Sequence, residues 1–376
     1  MKAFRYSVCA LLFVSILAPA FSLSFGKIKG DDYWYVLRQA ENAFVANDYG
    51  RALSLAEEAK EKKKQVADWE KLALDETQRS SKVRKVGDYL DELLPVLEER
   101  QYENAVYVIK RKLDLYGSAH FHGKFSELKA WVEKDYLYPE ADFLIGKIYK
   151  LEGEFDLSGD YLNRAYDNID RLDIKDVKFD ILYELADLAD YREDGPAYEQ
   201  KLTAILANDK LYTDDGFMRA LVRLINSGKA ANGSESPDKA VEKFFLLYRS
   251  DNDISIRALE KLSVYYEGIG QTEKALRCAA LGSVAAVTKI EDILKDRMID
   301  YSYTSFVDLL HKASGYSDII DWGNDNNIWE LFFTLAKVSR SYGQTQFAGA
   351  LFTILASYEP EEYWKLRASS ELAARF

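Results

Sequence analysis

The sequence predicts an all-α chain built from repeated antiparallel helix hairpins. Breakers are scarce: 376 residues contain 6 Pro and 20 Gly, fewer than an all-β or a disordered chain needs. Apolar residues recur with a helical period of about 3.6, and turn residues fall between the periodic stretches. The small residues Ala40, Gly146, Ala186, Ser263 and Ala336 each sit in the same local pattern. Their spacings are near-multiples of about 34 residues with short insertions.

The chain opens on an address. Lys2 and Arg5 precede an apolar run from Val8 to Ala18, and Ala18-Pro19-Ala20 and Ala20-Phe21-Ser22 offer small residues at the spacing a signal peptidase reads. The run is shorter than the about 20 apolar residues of an ordinary spanning helix. Residues 1–22 are therefore expected to be a signal peptide, cut between Ala20 and Ser24, with an uncleaved anchor as the alternative. No later segment is apolar enough to span a bilayer. Cys9 lies inside the apolar run and not at the cleavage point, so no lipid anchor is expected there. Cys278 is then the one mature cysteine, and a single cysteine makes no internal disulfide. These features predict an exported protein held together by packing, periplasmic or else secreted. The formal net charge is −12. An acidic surface repels phosphate backbones and anionic headgroups, which sets nucleic acid and anionic membranes aside as main partners.

Five units are clearest, near residues 33–62, 139–167, 179–207, 256–284 and 329–357. The first reads Ala40, Ala43, Tyr49, Ala52, Ala56 and Ala59. The next strong unit opens at Pro139, where a helix start tolerates proline. It reads Ile145, Gly146 and Tyr149, turns at Gly153, and continues with Phe155, Ser158, Leu162 and Ala165. Leu182, Leu185, Ala186 and Ala189 are followed by Tyr198, Leu202 and Ile205. Leu259, Leu262, Ser263 and Tyr266 precede Gly270 and then Ala275, Ala279 and Gly282. The last unit reads Phe332, Leu335, Ala336, Gly343, Ala348, Phe352 and Leu355. Weaker units are expected at Leu93 to Ile109 and at Leu221 to Tyr248, and the weakest at Tyr303 to Ala313. The charged stretch 60–86 reads as a solvent-exposed helix extension, or as two helices broken near Ser80-Ser81. Residues 226–237, with the sequon Asn232-Gly233-Ser234, and Ser317 to Asn327 read as loops.

This pattern resembles the tetratricopeptide repeat family along most of residues 31–376, in the style of exported repeat proteins of bacterial envelopes. Sel1-like and other helical-hairpin repeats share it. The units depart from the family in carrying no Trp at the large first position and in mostly lacking the closing Pro. The resemblance implies a right-handed α-solenoid, with the first helix of every hairpin lining a concave groove. The implied groove positions are Trp34, Leu37, Glu41 and Phe44, then Phe143, Lys147, Lys150 and Leu151, then Tyr183, Asp187, Asp190 and Tyr191. Glu260, Val264 and Glu267 follow, then Phe333, Lys337 and Arg340. Lys147, Lys150, Tyr183, Asp187, Tyr191, Glu260, Lys337 and Arg340 are the expected partner-binding residues. The Lys/Asn/Arg carboxylate clamp of some family members is not matched, because none of these positions holds Asn.

No phosphate loop, dinucleotide fingerprint, nucleophile elbow or paired metalloprotease histidines occur in the sequence. His120-Phe121-His122 would put two imidazoles on one side of an extended segment, with Glu127 as third ligand, but a loop or cap role is the default. Asp187 and Asp190, three apart on a helix, read as a solvated face before they read as a glycosidase pair. No catalytic residue, cofactor or metal is expected. The leading reading is a non-catalytic interaction scaffold that binds envelope proteins or peptides. The alternative is a periplasmic accessory of a transport system holding a small molecule or sugar. A helical-toroid enzyme is the third.

Overall fold

The computed structural model describes residues 32–80, 83, 88–207, 209–216, 219, 220, 223, 237–247, 249, 250 and 252–374. The expected signal peptide, Cys9, Ser81, residues 226–236 with their sequon, and Leu221 lie outside the described residues. The chain divides into two compact units, Met1–Ala141 and Asp142–Phe376. The first contains α1 (Tyr33–Val45), α2 (Tyr49–Arg79), α3 (Leu90–Glu99), α4 (Glu103–Tyr116) and α5 (Phe125–Val132). The boundary falls in the first turn of α6 (Pro139–Glu152). The second unit continues with α7 (Phe155–Asp167), α8 (Val177–Tyr191), α9 (Gly195–Leu206), the single turn α10 (Lys210–Thr213) and α11 (Pro237–Leu247). It closes with α12 (Ile254–Gly268), α13 (Thr272–Arg297), α14 (Phe306–Ala313), α15 (Ser317–Asp325), α16 (Ile328–Ser341), α17 (Thr345–Tyr358) and α18 (Glu362–Ala373). The described residues contain no strand, only an isolated bridge between Tyr89 and Lys124.

Neighbouring helices pack in pairs, as α1 with α2, α8 with α9, α12 with α13 and α16 with α17. The turns after α1, α3, α6, α8, α12 and α16 share one chemistry. Each places a residue at positive φ: Asn47, Gln101, Gly153, Glu193, Gly270 and Gly343. The amide of the following residue donates five residues back, at 2.8–3.0 Å, to the carbonyls of Ala43, Leu97, Tyr149, Ala189, Tyr266 and Ser339. This is a Schellman closure, which satisfies carbonyls that the helix end leaves open and turns the chain back. Glycine stands at three of these turns because the left-handed region costs it nothing. Seven residues before the turn lie Ala40, Gly146, Ala186, Ser263 and Ala336, all buried. A Cβ on Gly146 would lie 2.8 Å from Leu162 Cγ, so α6 and α7 touch there at backbone distance.

Three expectations need correction. The stretch after Lys60 continues α2 to Arg79 and ends at Ser80, where a break was expected, but it is not simply solvent-exposed. Lys63, Val66, Glu70, Leu74 and Thr77 form a buried stripe along it, and α4 and α5 pack against the helix. Ser317 to Asn327 is mostly helix, α15; Ile319 and Gly323 are buried, and a Cβ on Gly323 would meet Trp329 Cζ2 at 2.4 Å. His120 lies in a 3₁₀ turn, Ser118–Phe121, not in an extended segment. Its ring stacks on Tyr116 at 5.3 Å and meets the edge of Trp131 at 4.6 Å.

Candidate functional site

The first helices α8, α12 and α16, and α6 from Asp142 onward, belong to the second unit, and each carries one of the small residues on its hairpin side. Going round a helix at 100° per residue, the position one after the small residue lies about 100° from it, and the position three before lies about 60° from it. The nearer position tucks into the packing. Tyr183, Glu260 and Phe333 occupy it, and so does Leu37 in the first unit; all four are buried. Tyr183 and Glu260 are therefore not exposed groove residues. Tyr183 Oη instead donates to the carbonyl of Ile254 at 2.7 Å and ties α8 to α12. Burial, reinforced by the nearby Glu330, raises the Glu260 carboxyl to about 7, against the pull of Lys261 and a hydrogen bond with Asn327.

Charged side chains of these helices, Asp187 and Lys337 at the farther position among them, form a band of ion pairs. Lys150 of α6 pairs with Glu184 and, at 3.8 Å, with Asp187 of α8. Asp187 meets Lys261 at 3.0 Å and Arg257 at 3.7 Å, both from α12. Glu267, at the far end of α12, pairs with Lys337 of α16 at 2.9 Å. The band thus crosses four first helices. Its side chains are half-buried, with Lys337 and Arg257 the more open. Lys147 lies over the Phe143 ring at 5.0 Å. Arg340 pairs with Glu371 of α18 and lies over Phe352. Tyr191 is 65% exposed and stacks on Phe155 at 3.8 Å.

Of the expected binding residues, then, Lys150, Asp187 and Lys337 share the band, Lys147 lies on the same helix, and Tyr191 and Arg340 stand apart from it. Glu184, Arg257 and Lys261 are band members that the sequence reading missed. Glu184 and Lys261 lie two residues before the small residue of their helix and Arg257 six before it, about 120–160° round the helix from it, so neither of the two positions beside that residue points to them. Such pairs across neighbouring helices are individually weak, worth about 0–1 kcal/mol, and exchange readily with the charges of a partner. A buried thiol offers no alternative chemistry: burial pushes Cys278 up to about 12, far from a reactive thiolate at neutral pH. Among the described residues no group of three or more His, Cys, Asp or Glu side chains is arranged to hold a metal ion. No described helix is long and apolar enough to cross a membrane.

No family model matches the chain. The chain is similar to an uncharacterized protein of Treponema pallidum (strain Nichols), with 24% identity over 351 residues that cover 92% of this chain and 91% of that protein.

Proposed function

We propose that this chain is a non-catalytic interaction protein of the bacterial cell envelope, a tetratricopeptide-like right-handed stack of helix hairpins that binds a protein or peptide on its first-helix face. The observation that carries the reading is the ion pairing from first helix to first helix: Lys150 with Asp187, Asp187 with Lys261, and Glu267 with Lys337. Such links between first helices suit a stack of repeats. Mixed charge on helices that also expose aliphatic side chains, such as Leu151 and Val264, suits a peptide better than a single small molecule. The common Schellman turn and the buried small residue seven positions before it support the repeat reading. Export rests on the sequence of residues 1–22.

Crosslinking in cells of the native host, followed by identification of captured proteins, tests the proposal. Lys150→Gln with Lys261→Gln removes two cations from the band without forcing carboxylates together, which reversal to Glu would do beside Glu184 and Asp187. The double variant is expected to keep its helical content and lose capture of specific partners. Undiminished capture by a folded variant would remove the band as the binding surface.

A further inference from the structure

The ion-paired band contains a cation whose hydrogen-bonding capacity is unused. Arg257, in the first turn of α12, reaches across to α8 and lies over the ring of Tyr183, its guanidinium carbon 4.8 Å from the ring centroid. Its ion pair with Asp187 spans 3.7 Å, too far for a hydrogen bond. Among the described residues its N–H groups donate to no acceptor, and its side chain is 43% exposed. The platform beneath it is fixed. Tyr183 is buried, and its hydroxyl donates to the Ile254 carbonyl at 2.7 Å. A guanidinium stacked on such a ring keeps its plane and its donor edge in place, so little freedom is lost when it grips a ligand.

The charges around Arg257 set the sign of that ligand. Asp187 meets three cations, Lys150, Arg257 and Lys261, and of these only Lys150 also meets Glu184. Three cations therefore share two carboxylates. Lys147 and Asp180 beside them add one charge of each sign. The most open charges of the band are both cations: Arg257, and Lys337 at 42%. Their acids, Asp187 and Glu267, are 29% and 23% exposed. In a chain of net charge −12, the band thus turns positive charge outward. Arg257 and Lys261 are four residues apart and share one face of α12. A carboxylate fits the edge of a guanidinium through two parallel hydrogen bonds. We infer that the band takes an acidic segment of its partner, with a side-chain carboxylate seated on Arg257 and Lys261 beside it.

This inference rests on the recognition role proposed for the band, and its test separates the two. Dye-labelled peptides of repeated Gly-Glu-Ala, Gly-Gln-Ala and Gly-Lys-Ala, capped at both ends so that no terminal charge remains, are titrated into the full mature chain by fluorescence anisotropy. The Glu peptide is expected to bind at least about tenfold more tightly than the Gln peptide, and the Lys peptide most weakly. Arg257→Gln should weaken the Glu peptide about tenfold, with unchanged circular dichroism, and Arg257→Lys about threefold, because an ammonium keeps the charge and loses the fork. Asp187→Asn should instead tighten it about threefold, by removing the acid that competes for the same cations. Partial unfolding does not produce such a gain. Equal affinity for the Glu and Gln peptides, preference for the Lys peptide, or binding insensitive to Arg257→Gln would overturn the inference. If Lys150→Gln with Lys261→Gln then still abolishes partner capture, the recognition role stands and only the acidic partner falls; if capture persists, both fall.

Discussion

In the first unit Lys112 is buried between Glu70, at 2.8 Å, and Asp135, at 2.5 Å. In the second unit the charges of the band are partly exposed and belong to helices packed over a core of aliphatic and aromatic side chains. The first arrangement joins α4 to the long α2 and to the chain just beyond α5 through one ammonium. Burial alone would lower Lys112, yet Asp135 and Glu70 together outweigh it and hold the amine charged. Such a group offers little to a partner, because removing it from its acids exposes buried charge. The band of the second unit differs: its pairs sit at the surface, where a partner's charges replace them at small cost. Pairing depth therefore separates charge that fixes the fold from charge available for recognition.

The largest test of this contrast is Lys112→Met. It should destabilise the first unit by about 3–5 kcal/mol in chemical denaturation, because Glu70 is then left facing Asp135 without the cation between them. A neutral result would mean that the triad is no more than surface pairing. Next comes Glu260, a buried acid of the second unit. The folded chain holds its proton up to about pH 7, whereas an ordinary glutamate loses it near 4.5. The stability this proton confers is complete below pH 4.5 and disappears as pH rises through 7. Glu260→Gln should therefore shrink the fall in stability between pH 5 and pH 8 by about 2–3 kcal/mol, measured by urea melts at both pH values.

Lys150→Gln with Lys261→Gln should cost about 1–2 kcal/mol in partner affinity and less than about 1 kcal/mol in stability. A stability loss as large as that of Lys112→Met would erase the distinction between the units. Cys278→Ala removes one buried sulfur from the α13 seam and should cost about 1 kcal/mol, with reductant leaving the melt of the parent chain unchanged. The smallest effect concerns the turns. Gln101 and Glu193 hold positive φ without being glycine, and Gln101→Gly and Glu193→Gly should each change stability by about +0.5 kcal/mol. Equal gains in the two units would show that the turn chemistry is independent of the core it serves.

Much of the candidate band was visible as spacing. Asp187 and Lys337 directly follow the small residues of their helices and Lys150 lies about one turn beyond Gly146, so helical spacing puts them near the seam-flanking face. Tyr183 and Glu260 were misplaced because their residue types suit a surface, while their angle, closer to the hairpin seam, puts them under the next helix. Ser317 to Asn327 looked like a loop because Gly, Asp and Asn dominate it. Its helix depends on Trp329 closing over Gly323, a contact between residues whose composition alone does not announce it.

What the sequence determines by itself is local: scarce breakers and periodic apolar residues make helices, and small residues at a repeated spacing make hairpins. Those properties depend on neighbours within about one helical repeat, and they survive without knowledge of the rest of the chain. The tertiary structure alone decided which charges are buried and which are shared. Lys63 and Glu70 belong to a stretch that reads as solvated, and only the packing of α4 and α5 on α2 takes Glu70 and its partner Lys112 out of water. Likewise, the pairing of Lys150 with Glu184 and of Lys261 with Asp187 joins residues far apart in sequence, because electrostatic partners are set by distance in space.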